Sequence, residues 1–238
     1  MKLSFYQMVA YKKRSLQQEL LDQEDIPFRD IFLTLHELEF INSQLGGHRI
    51  TIKGFKKLLH NRKSISVCEI GCGGGDNLNA LQHYCVKNKV NCSFTGIDLN
   101  KDCISFAKEN STIKNARFIV SDYREVDFED EKPGIIFSSL FCHHFSEQEL
   151  IEMLHWLRNN ATIGFFINDL HRHPLAYHFI KLATKLFSNS YLVKNDAPVS
   201  VLRGFKKNEW RSIFKKAGIE NYSIEWNWAF RYLIIAFN

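Results

Sequence analysis

The chain has 238 residues, 45% hydrophobic and 24% charged with only four prolines, so it is neither disordered nor fibrous and can bury a sizeable core. A net charge of +5 is mild, and its basic bias gathers late, from Lys181 to Lys216, where a solvated helix face explains it more simply than nucleic acid. The first sixteen residues lack a signal peptide's apolar segment, no run is long enough to span a bilayer, and six cysteines sit mostly in apolar runs without a C-x-x-C pair; a cytoplasmic protein with reduced, packed thiols and no metal site is expected.

Residues 1–60 read as a helical cap belonging to the same domain as residues 61–238. Asp25-Ile26-Pro27 is a start signal, and Ile31, Leu35, Leu38, Ile41 and Leu45 share one helical face that ends at Gly46-Gly47. A short second helix is expected over Ile52–Leu59. The stretch Ser64–Asp76 then organises everything after it. Ile65, Val67, Cys68 and Ile70 form a buried strand that enters Gly71, Gly73, Gly74 and Gly75, and Asp76 opens a helix. Glycines let a ligand approach the backbone, and the helix start presents unpaired N–H groups. A dinucleotide turn would place a phosphate there, but Glu69 and Asp76 repel phosphate and favour a nucleoside with a cationic tail.

Strand and helix alternate from there, as in a parallel sheet covered on both faces. Strands are expected over Cys92–Asp98, Ala116–Ser121, Gly134–Ser139 and Ile163–Ile167. A helix follows over Lys101–Glu109, and Ser146 with Glu149 forms a capping box for another through Arg158. Pro174 opens an apolar helix to Phe187. An irregular segment is expected from Ser188 to Gly204, then a helix over Lys207–Ala217 and two closing strands, Ile219–Trp226 and Phe230–Phe237.

The pattern Glu69-x-Gly71-x-Gly73-x-Gly75, followed by Thr95-Gly96-Ile97-Asp98-Leu99, resembles the class I S-adenosylmethionine-dependent methyltransferases. The resemblance covers roughly residues 64–238. It implies an α/β fold: a doubly wound, seven-stranded, mostly parallel sheet in order 3-2-1-4-5-7-6, with ligands at the carboxyl ends of the strands. It also implies S-adenosyl-L-methionine as cofactor, with contacts from Glu69, Gly71, Cys72, Gly73 and Gly75. Asp98 would hold the ribose hydroxyls, Leu99 would pack on the adenine, Asp122 would take its amino group, Tyr123 would stack, and Ser138 would lie nearby. A helix cap is the plain alternative for Asp98, and an exposed turn for Asp122 and Tyr123.

The motif of base-amino methyltransferases is missing after the fourth strand, where Ser138-Ser139-Leu140-Phe141-Cys142-His143-His144-Phe145 stands instead. An imidazole titrates near neutrality and can take a proton from a phenol, so His143, His144 and, after the fifth strand, His171 are the candidate bases; capping or packing is the alternative for each. Leu45-Gly46-Gly47, the two-histidine run, Ile167-Asn168-Asp169-Leu170-His171-Arg172 and the final Trp226-x-Trp228-x-Phe230-Arg231-Tyr232-Leu233 are similar to a bacterial group of ubiquinone-methylase-like enzymes associated with type III polyketide pathways. That implies a small aromatic acceptor (a phenol, quinol or polyketide-derived ring), with no nucleic acid as partner. Asp196-Ala197-Pro198-Val199 departs from that group's expected polar turn. The competing readings are a non-catalytic cofactor-binding module and a protein or RNA methyltransferase.

Overall fold

Alternation of apolar faces along seven short strands builds one sheet, in the order β3-β2-β1-β4-β5-β7-β6. In this computed structural model, which describes residues 11–23, 26–129 and 131–238, the strands are β1 (Ser64–Ile70), β2 (Asn91–Asp98), β3 (Arg117–Val120), β4 (Ile135–Ser139), β5 (Gly164–Leu170), β6 (Tyr222–Asn227) and β7 (Arg231–Phe237). Only β7 runs against the rest: its pairings with β5 and β6 are antiparallel, while β1 to β5 are mutually parallel.

Eight α-helices are found among the described residues: α1 (Phe28–Gln44), α2 (Gly47–Leu59), α3 (Asp76–Asn88), α4 (Lys101–Asn110), α5 (Glu147–Asn160), α6 (Pro174–Phe187), α7 (Tyr191–Arg203) and α8 (Lys207–Lys216). Neighbouring strand residues point to opposite faces, so Phe165 joins a core with α5 and α8 through Met153, Leu157, Trp210 and Phe214, whereas Phe166 joins α2 and α3 through Phe55, Leu58, Leu78 and Leu81. The capping box of α5 is formed as expected, Ser146 accepting from Glu149 N and Glu149 accepting from Ser146 N. No helix is long and apolar enough to cross a membrane among the described residues.

Three expectations need correction. The second helix starts at Gly47, not Ile52, because Gly46 takes a left-handed turn (φ 80°) that joins α1 directly to α2. Residues 11–19 are not helical; with one 3-10 turn at Leu20–Asp22 they form a strap across the carboxyl end of the sheet. Arg172 Nε donates to Tyr11 O, Arg203 Nη1 to Gln17 O and Arg14 Nη2 to His143 O, while Asp196 accepts from the backbone N–H groups of Leu20 and Leu21. Residues 1–10, 24 and 25 of the expected cap, including Asp25 of its start signal, lie outside the described residues.

The third correction is α7, where the irregular segment was expected. Ser190 caps it by accepting from Val193 N, and Leu192, Val193, Val199 and Val201 are buried against the strap and α6. Pro198 sits inside this helix and cannot donate to the carbonyl one turn back, a loss normally near 3 kcal/mol. Burial of four aliphatic side chains, each worth roughly 1.5–3 kcal/mol, outweighs it.

Candidate functional site

Two adjoining regions at the carboxyl edge of the sheet gather the polar groups. The first is the turn between β1 and α3. Gly71, Gly73 and Gly75 all have positive φ (64°, 49° and 77°), so the chain reverses there with no side chain in the way. A Cβ on Gly71 would lie 2.2 Å from the Phe141 ring, whereas at Gly73 the nearest atom, from Leu35, is 4.0 Å away. Asp98 closes the turn, its two oxygens accepting from Gly73 N at 2.8 Å and Asn100 N at 2.9 Å. Burial raises its carboxyl pKa.

Glu69 is wholly buried: Oε1 accepts from Asn77 Nδ2 at 3.1 Å, and Oε2 has no partner. Burial first and Asp76 second hold its pKa well above the usual carboxylate range. Asp76 itself is drawn into a bond with His48 (2.7 Å) and Asn42 (2.8 Å). Leu99 is 69% exposed beside the turn. An acceptor atom without a donor, an open backbone cradle and an exposed apolar platform suit a nucleoside bearing an ammonium group.

The other residues expected to meet the cofactor have protein partners of their own. The side chain of Cys72 is buried under Gly96, leaving only its backbone at the turn. Ser138 is fully buried, its Oγ 3.4 Å from Cys142 Sγ. Tyr123 packs edge-on to Trp156 and Phe141 in the core. Asp122 caps the short turn behind it and pairs with Arg124, which lowers its pKa.

The second region is a cavity of about 190 Å³ beside Leu140, somewhat larger than the roughly 150 Å³ that takes a benzene ring. Its walls are apolar, from Leu38 and Ile41 of α1, Phe179 and Ile180 of α6, and Val193 and Val201 of α7. Its polar lining comes from Glu19, His143 and His144 on one side, with Thr34, Asp196, Ser200 and Arg231 elsewhere around it. His143 is 2% exposed; its Nδ1 lies 2.8 Å from Asp169 Oδ1 and its Nε2 3.4 Å from Glu19 Oε1. Although burial opposes charge on the ring, these two carboxylates raise its pKa to about 9, so at neutral pH it is an imidazolium. His144 is more open, with Nδ1 3.2 Å from Asp22 Oδ1.

Glu19, His143 and His144 also bring one ligand atom each within 4.8 Å of the others, the group among the described residues that could hold a metal ion. His171, the third expected histidine, is not brought to them. It lines a separate cleft with Arg172, His173 and Lys206, packs on Tyr232, and has its pKa lowered to about 4 by burial and by His173. Arg203, counted in the sequence among the late basic residues, is buried and donates to His143 O and His144 O. Glu19 and Asp22 carried no sequence signal, because only the fold of the strap brings them to the histidines. Asp169 was visible only as one polar residue at the end of a strand.

Comparison with known proteins adds to this geometry. A family of methyltransferase domains matches residues 61–218. Among solved structures, the plantazolicin methyltransferase BpumL in complex with SAH is similar at a TM-score of 0.64 and 19% identity, over 92% of this chain and 80% of that one. Magnesium protoporphyrin IX methyltransferase from Synechocystis PCC 6803, with bound SAH, gives 0.56 and 15% over 84% and 87%. A SAM-dependent methyltransferase from Aquifex aeolicus gives 0.56 and 18% over 79% and 88%. At such identities the structural likeness speaks for the fold alone. A search of curated proteins found no sequence match.

Proposed function

The chain belongs to the class I S-adenosylmethionine-dependent methyltransferases, and from that premise we propose that it methylates a hydroxyl on a small aromatic acceptor of the phenol, quinol or polyketide-derived kind. The observation that carries this reading is the cavity: apolar walls of about ring size, with Glu19, His143 and His144 on one side. The glycine turn supports cofactor binding beside it, with Asp98 for the ribose, Leu99 under the base and the unpaired Glu69 Oε2 for the amino group.

S-adenosylmethionine, when bound, supplies a sulfonium methyl group as electrophile. The chain's own residues handle the acceptor and its proton. His144, oriented through Nδ1 by Asp22, takes the hydroxyl proton at Nε2. His143 already carries a proton and stabilises the oxyanion electrostatically, held in place by Asp169. The aliphatic walls keep water from competing as nucleophile. A phenol ionises near pH 10, so both the base and the neighbouring cation help at neutral pH.

The test is single-turnover transfer from labelled cofactor to a panel of phenols. His144→Ala is expected to slow transfer about 10²–10⁴-fold with affinity for S-adenosylhomocysteine unchanged. Near-normal rates with a flat pH profile would remove histidine from the chemistry.

A further inference from the structure

Arg231 opens β7 and is 3% exposed, yet it lines the same cavity. Its Nη1 has no hydrogen-bond partner, and no ion pair reaches its guanidinium among the described residues. The two carboxylates that act on it, Asp169 and Asp76, are committed elsewhere, Asp169 to His143 and Asp76 to His48 and Asn42. Gly47 leaves room here for Asn42 and the guanidinium together: a Cβ there would stand 1.6 Å from Asn42 Oδ1, which also lacks a partner, and 2.7 Å from Nη1. A buried cation left unpaired in an apolar cavity is costly and is ordinarily matched by a counter-charge. Burial lowers its pKa to about 10, so at neutral pH it stays charged.

We propose that Arg231 anchors an anionic group of the acceptor, so that the substrate class is an aromatic carboxylic acid bearing the hydroxyl to be methylated. This rests on the reading of the cavity as the acceptor site. One guanidinium in a largely apolar cavity that Glu19 and Asp196 already line matches a monoanion, whereas a phosphate dianion would bury net negative charge beside those carboxylates and Asp169. A carboxylate also fits the planar fork of the side chain. The anion at Arg231 and the hydroxyl at the histidines would together fix the ring's orientation, which apolar walls alone cannot do.

The experiment compares 4-ethylbenzoate with 4-ethylbenzyl alcohol, alike in shape and different in charge, by calorimetry on the full chain. The native protein is expected to prefer the carboxylate by at least about tenfold, the scale of a charged hydrogen bond. Arg231→Met should erase that preference while leaving the melting temperature unchanged or higher, since it removes an unpaired buried charge. Arg231→Lys, which keeps the charge, should retain part of the preference and serves as the folding control. Three results would overturn the proposal: no preference in the native protein, a preference that survives in Arg231→Met, or a lower melting temperature in Arg231→Met, which marks a structural arginine. A fall in S-adenosylhomocysteine affinity with 5′-methylthioadenosine affinity unchanged would overturn it too, reassigning the guanidinium to the cofactor's carboxylate. None of these readouts needs turnover. Failure of the acceptor-site reading would show instead as absent methyl transfer with carboxylate preference intact.

Discussion

Replacing Asp169 by Asn should flatten a pH-dependent part of the protein's stability. In the folded chain the His143 pKa is about 9, against a reference value of 6.5. That difference is worth about 3 kcal/mol. Because the folded value is the higher one, the contribution is fully present below pH 6.5 and is lost as pH rises through 9. The same interaction, seen from Asp169, lowers the carboxyl's pKa and counts once. Urea melts at pH 6, 7.5 and 9.5 are the assay, read as the difference between native protein and Asp169→Asn so that other titrating groups cancel. With a slope near 3 kcal/mol per molar urea, the native midpoint should fall further than the variant's across that range by up to about 1 M, Glu19 keeping its share of the effect in both proteins. Parallel midpoint curves would refute the buried imidazolium, and with it the electrostatic role given to His143.

Asp98→Ala should weaken S-adenosylhomocysteine by roughly 1–3 kcal/mol in calorimetry, since Gly73 N and the ligand both lose an acceptor. An unchanged affinity would remove Asp98 from the cofactor site. Gly71→Ala combines a left-handed φ with a clash against Phe141, while Gly218→Ala shares the φ of 64° but meets nothing within 4 Å. The first should lower the melting temperature clearly more than the second, which carries only the backbone cost of about 1–2 kcal/mol. Equal losses would mean that Phe141 yields freely.

Much of the sheet was legible because strands such as β1, β2 and β4 carry a local pattern, an apolar run with a polar residue at or near its carboxyl end. Glu69 and the glycines form one contiguous signal of this kind, and Asp98 ends the next strand in the same way. α7 was misread because Pro198 is a local rule-breaker, and the contacts that overrule it come from the strap and α6. The histidines show another boundary. His143 and His171 both follow strands, but sequence spacing says nothing about which way a loop residue turns after a strand ends. One meets Asp169 and Glu19; the other lies in a different cleft on Tyr232. Tyr123, expected as a stacking ring after the third strand, packs against Trp156, Phe141 and Phe145 in the core, contacts that only the fold brings together.

The strap is gripped both through its main chain and through the side chains of Tyr11, Arg14, Glu19 and Asp22. Arg172 and Arg203 hold carbonyls of Tyr11, Lys12 and Gln17, and Asp196 holds two N–H groups. Main-chain groups are the same whatever side chain they carry. The strap's exposed positions, Lys12, Lys13, Leu16, Gln17 and Gln18, can therefore drift without losing the seat, whereas Tyr11, Arg14, Glu19 and Asp22 act through their side chains. Its counterparts in α7 and after β5 have no such freedom, since Arg172, Asp196 and Arg203 act through their side chains. Lineages descended from one such enzyme would diverge fastest at those exposed positions of the strap, while the few side chains that seat it would be kept.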